Sequence, residues 1–111
     1  MVIFFKTKKL KKIFDSEKKL LKEYDGNCAK QIRTRMADLE AADNLEIMKM
    51  LPGRTEELRG DRKGQLSIRV GRNWRLIFEP ANDPMPTKED SGLDWSRVTS
   101  IRILEVKDYH G

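Results

Sequence analysis

The chain has 111 residues, a formal net charge of +5 and a sequence pI of about 9.4; 38% of its residues are apolar and 37% charged. That length allows one core but not two, and the apolar residues cluster periodically, which argues against disorder. One cysteine, Cys28, and one histidine, His110, exclude an internal disulfide and a structural zinc set, and no apolar run approaches a membrane span.

Taken in order, Val2 to Phe5 is a β-branched and aromatic run that predicts a first strand. It is too short for a signal peptide and has no charged leader, so a cytoplasmic protein is expected. Lys8 to about Tyr24 reads as helix, with Leu10, Ile13, Phe14, Leu20, Leu21 and Tyr24 on one stripe and lysines over the rest. Those lysines fit either a solvated face or a strip facing RNA. Asp15-Ser16 offers a second cap, which predicts a kink or a split there. Asp25-Gly26-Asn27 then breaks the pattern. Asn27 is the expected N-cap of a second helix to about Ala42, with Ala29, Ile32, Met36, Leu39 and Ala42 as its stripe. Asp43 with Glu46 resembles a capping box for a short helix through Met50, ended by Pro52-Gly53. Met36, Met48 and Met50 are expected to fill the core.

Glu56 to Gly60 suggests a short strand. It leads into a hairpin around which the chain is organised. Leu66, Ile68 and Val70 alternate with Gln65, Ser67 and Arg69; Gly71-Arg72-Asn73 makes the turn; Trp74, Leu76 and Phe78 alternate with Arg75, Ile77 and Glu79. Pro80 to Arg97 is a long polar connection, either ordered by its own contacts or mobile, with Trp95 as the expected anchor. Val98 to Tyr109 returns to strand, and the break in alternation at Ile103-Leu104 predicts a bulge or a strand covered on both faces. The expected fold class is α+β, with an N-terminal strand and a two-helix hairpin packed on one face of an antiparallel sheet.

The basic balance favours polyanions or an acidic partner. Arg59, Arg62, Lys63, Arg69, Arg72 and Arg75 all fall within or beside the hairpin. Arg69 and Arg75 lie on neighbouring strands, where converging guanidiniums suit a phosphate because the planar fork donates parallel hydrogen bonds. At the end of the chain Asp108 and His110 share a strand face and Tyr109 takes the other. A histidine beside a carboxylate is a workable proton-transfer pair, though a terminal histidine also fits a frayed tail.

Leu58-Arg59-Gly60-Asp61-Arg62-Lys63-Gly64-Gln65, Ser67-Ile68-Arg69-Val70, Asn73-Trp74-Arg75-Leu76-Ile77-Phe78 and Asp108-Tyr109-His110 together resemble the HigB-type toxins of the RelE/ParE toxin–antitoxin superfamily. The resemblance runs from about Val2 to His110, and the segment from Phe78 to Val106 is similar to a subgroup with a longer loop between the last two strands. It implies a single RelE/ParE-like toxin domain over residues 1–111 with the RelE-like microbial RNase fold. It further implies a ribosome-dependent endoribonuclease that cuts mRNA in the 70S ribosome A site, needs neither metal nor cofactor, inhibits translation and serves functions such as plasmid maintenance. In that chemistry the ribose 2′-hydroxyl attacks the adjacent phosphate and leaves a cyclic phosphate. On this resemblance the catalytic candidates are His110, Asp108, Arg75 and Glu56. Glu56 stands where family members often carry a second histidine. Arg59, Arg62, Lys63, Arg69, Arg72 and Tyr109 are the candidate RNA and phosphate contacts. The implied partner is a helix-turn-helix antitoxin, through which alone the chain would meet DNA. The alternatives are a ParE-like inhibitor of DNA gyrase and an inactive antitoxin-binding module.

Overall fold

Strand and helix boundaries follow local capping chemistry. In a computed structural model that describes residues 1–109, β1 spans Val2–Phe5, α1 Lys8–Phe14, α2 Glu17–Glu23 and α3 Gly26–Ala41. Each helix starts on a side-chain oxygen that takes an otherwise unpaired backbone N–H. Thr7 accepts from Leu10 N, Ser16 from Lys19 N at 3.2 Å, and Asp25 from Cys28 N at 2.8 Å. The expected break at Asp15-Ser16 is therefore a complete split. The cap of the third helix is Asp25 rather than Asn27. A carboxylate meets the positive end of a helix dipole better than an amide does, and Asn27 already lies inside the helix, where its side chain accepts from Gln31.

The short helix expected through Met50 is present as a 3-10 helix over Leu45–Met50, but its start is not the expected one: Asp43 and Glu46 make no capping box. The Val98 carbonyl accepts from Leu45 N at 3.0 Å, which satisfies the start of the segment from across the molecule. Three residues per turn place Leu45 and Met48 on one buried face and leave Met50 77% exposed. Met50 is thus not a core residue; Met36 is half-buried against the core.

β2 is Glu56–Glu57 only, because Gly60–Arg62 turns into a second 3-10 segment; β3 is Leu66–Arg69, β4 Trp74–Pro80 and β5 Ser100–Asp108. The sheet order is β1-β5-β4-β3-β2. All pairs are antiparallel except β1 with β5, which is parallel, so the sheet is mixed rather than antiparallel throughout. A parallel neighbour cannot be reached by a tight turn: the chain leaves β1 through the three helices, enters the sheet at its far edge with β2 and returns through β3 and β4 to β5. Between β4 and β5, Ile77 faces Glu105 while Phe78 faces Ile103, so Leu104 is the extra residue of a bulge on a central strand.

The helices cover one sheet face. Leu20, Cys28, Ala29, Ile32 and Leu39 pack on Leu66, Ile68, Leu76, Phe78, Ile101 and Ile103. Gly53 sits tight against this layer: its φ is +107°, and a Cβ there would meet Ile68 Cγ2 at 2.7 Å. In the hairpin turn only Gly71 takes the positive φ, at 129°, and Asn73 does not. The Pro80 to Arg97 connection is ordered by its own contacts. The Asn82 side-chain oxygen Oδ1 accepts from Thr99 N and Ser100 N, Thr87 bridges Leu93, and Trp95 is buried with its indole N–H on Glu57 at 3.0 Å. Hydrogen bonds from Ser96 and Arg97 hold the Asp94 carboxyl below the usual carboxylate range.

Candidate active site

On antiparallel strands, residues directly opposite each other point to the same face. Arg69 pairs with Arg75, and Arg75 with Lys107. These three cations therefore form one row across β3, β4 and β5 on the face the helices leave open. With about 4.8 Å between strands, the row is roughly 10 Å wide. The neighbouring row is Glu56, Ser67, Ile77 and Glu105. Ser67 and Ile77 are buried there, although Ile77 is not part of the helix-covered core.

Arg62 reaches over this second row. Both terminal nitrogens of its guanidinium lie 3.3 Å from Glu105 Oε2, and one also donates to Gln65 Oε1 at 3.0 Å. Arg75 lies under Tyr109, with its guanidinium carbon 5.4 Å from the ring centroid, and donates to the Trp74 carbonyl. Tyr109 is fixed through its backbone N–H, which donates to the Asn73 carbonyl of the hairpin turn at 2.6 Å. Tyr109 is exposed and Arg75 half-buried, so both can be reached from solvent at the end of the sheet.

The structure thus joins Arg69, Arg75 and Tyr109, with Arg62 beside them. Other expected residues stand apart. Glu56 pairs with Arg54 at 3.7 Å and shares a shallow concavity with Arg59 and Lys63, at the β2 end of the sheet. Arg72 is exposed on the hairpin turn. Asp108 does not join the arginine row: it pairs with Trp74, whose ring packs edge-on against Tyr24 on the helix side. Its charge is felt by Cys28, whose thiol is pushed up to about 11, first by burial and then by Asp25 and Asp108. His110 lies outside the described residues.

Two residues of this face escaped the sequence reading, Glu105 and Lys107. The signal was present: positions 105, 107 and 109 alternate with Asp108, so the face given to Tyr109 carries all three. Among the described residues, no group of three His, Cys, Asp or Glu side chains has a metal-binding arrangement, and no helix is long and apolar enough to cross a membrane.

Comparison with known proteins bears on the fold and the family. The family model described as the RelE-like toxin of the type II toxin–antitoxin system HigB matches residues 3–87. No curated protein matches the chain. Among solved structures, a YoeB/ParE toxin from Agrobacterium tumefaciens is similar at TM-score 0.60 and 11% identity, covering 99% of this chain and 100% of that one. A YoeB–YefM complex from Staphylococcus aureus is similar at TM-score 0.55 and 17% identity, and a YoeB dimer from the same organism at TM-score 0.56 and 19% identity. Each covers 100% of this chain and 98% of the other, and at such identities the likeness concerns the fold. On the match over residues 3–87, the chain belongs to the HigB-like toxins, RelE-like toxins of type II toxin–antitoxin systems.

Proposed function

We propose that residues 1–111 form a single toxin domain acting as a ribosome-dependent, metal-independent mRNA endoribonuclease that inhibits translation. The observation that carries this reading is the Arg69–Arg75–Lys107 row, with Arg75 at its centre against the exposed Tyr109. Cleavage by an internal 2′-hydroxyl builds negative charge on a crowded phosphorane, and fixed cations beside it lower that barrier. Arg75 is central in the row and takes the role of phosphate stabiliser, with Arg69 and Lys107 on either side. The Tyr109 ring suits stacking of an unpaired base. His110 is assigned proton transfer to the leaving 5′-oxygen. Glu56 keeps the role of taking the 2′-proton although it stands at the β2 end of the sheet, so an RNA strand would have to run along the open face from Arg75 toward β2; Asp108, on the helix side, is assigned the charge balance of His110. Arg59, Arg62, Lys63 and Arg72 hold flanking phosphates. The products are a cyclic phosphate and a free 5′-hydroxyl.

The protein acts in the cytoplasm, and an antitoxin neutralises it, as the YoeB–YefM complex suggests by likeness. Expression in a bacterial host tests the reading. Growth arrest with cut translated transcripts is expected, relieved by His110→Ala or Arg75→Ala. Arrest with intact transcripts and DNA-damage signalling would instead put the chain with gyrase-directed inhibitors. Normal growth with antitoxin binding retained would leave only a binding module.

A further inference from the structure

The positive charge of this molecule is concentrated in one place. Residues 6–24 hold eight lysines against Asp15, Glu17 and Glu23, so this segment carries the whole net charge of +5 and the rest of the chain sums to zero. Every one of these lysines is exposed. Among the described residues only Lys11 has an acidic partner, Asp15 at 2.7 Å; Glu17 is drawn away to Arg33 at 2.7 Å on α3. The seven other lysines form no ion pair there. On the open sheet face two of the arginines are paired, Arg62 with Glu105 and Arg102 with Glu79.

The chemistry of the segment narrows its partner. It contains no arginine, so it has no planar fork for reading base edges. Its aromatic rings are engaged elsewhere: Phe14 packs edge-on against Phe5 at 5.4 Å, and Tyr24 against Trp74 at 5.7 Å. A single-strand reader needs open rings on which bases stack, and this surface offers none. What remains is an array of point charges on two helices, each about 10 Å long and separated by the Asp15-Ser16 break. Such an array matches closely spaced phosphates on a double helix.

We propose that α1 and α2 form a second nucleic-acid surface, separate from the arginine face, that grips the phosphate backbone of double-helical RNA without reading its sequence. The choice of RNA rests on the nuclease reading above; the duplex preference does not, because binding is measured without cleavage. The probe is a 16-base-pair RNA duplex, titrated over a salt series against Arg75→Ala protein. Replacing Lys8, Lys12, Lys18, Lys19 and Lys22 with Gln, which keeps helix propensity, is expected to weaken duplex binding at least tenfold. The slope of log affinity against log salt should fall by about 3 to 5, near one for each phosphate that a lysine no longer neutralises. Arg69→Gln should change duplex affinity by less than about threefold. If the five-lysine protein melts early, the Lys8/Lys12 and Lys18/Lys22 pairs serve separately, each lowering the slope by about 2. Unchanged duplex affinity in the lysine variants, or equal weakening in Arg69→Gln, overturns the proposal. Crosslinking in cells from the lysine helices should recover structured RNA; recovery of DNA or of an acidic protein in its place overturns the RNA assignment, while leaving the Arg75 cleavage test to stand or fall by itself.

Discussion

The two faces of the β-sheet share the same strands and differ in what lies over them. On the helix side Ile68, Leu76 and Phe78 are sealed by α2 and α3. On the open side, one residue out of register with them, stand Arg69, Arg75, Lys107 and Glu105, with Ile77 sunk among them and fully buried. The covered face keeps the chain folded. The open face can carry charge because no helix crosses it, and charge there costs little while it stays wet. Stability and chemistry are thereby assigned to alternate residues of the same strands.

Substitutions at neighbouring positions of β4 break or sharpen that contrast. Phe78→Ala should have the largest effect on folding, about 4 kcal/mol in urea unfolding, because it empties a sealed layer. Arg75→Ala, three residues earlier, should leave unfolding within about 0.5 kcal/mol while cutting mRNA cleavage by roughly 10² to 10³. A variant that unfolds instead would mean that the open face is structural. Ile77→Ala tests the exception: its surroundings include long side chains able to collapse inward, so a loss near 2 kcal/mol is expected, the low end for such a deletion. A loss as large as that of Phe78→Ala would show that Ile77 belongs to a second core.

The covered face also carries a pH dependence. The Cys28 thiol is raised from its ordinary 9.0 to about 11 by burial and by Asp25 and Asp108. The unfolded chain therefore releases this proton first. The stability contribution is complete below about pH 9 and is lost as the pH rises toward 11. Unfolding free energies of the protein and of Cys28→Ala, compared between pH 8 and 11, should converge or cross in that window. A constant difference between them would mean that the thiol ionises alike in both states.

Much of the architecture was legible in local pattern. The period of two in Leu66–Val70 and Trp74–Phe78 needs no partner to be seen, and the Ser16 cap announced the helix split. The failures share one cause. The expected Asp43–Glu46 capping box does not form, and Leu45 N goes instead to the Val98 carbonyl, far along the chain. Likewise, Met50 is exposed because the segment winds with three residues per turn. Helix caps made by distant backbone and the choice between α and 3-10 winding have no sequence period to betray them. The site divided in the same way. Arg69 and Arg75 were found together because a tight turn sets their register, whereas Lys107 and Glu105 come from a strand that returns only after the Pro80 to Arg97 connection.

The sequence by itself determined the strand and helix alternation, the concentration of lysines before Tyr24, the basic hairpin and the family likeness, all written in neighbours within a few residues of one another. Only the tertiary structure decided that β5 enters between β1 and β4, parallel to one and antiparallel to the other. That insertion brings Lys107 and Tyr109 to Arg75 and sends Asp108 to the opposite face. The reason is physical: a strand's alternation says which residues travel together, but only its hydrogen-bonded register against another strand says whom they meet.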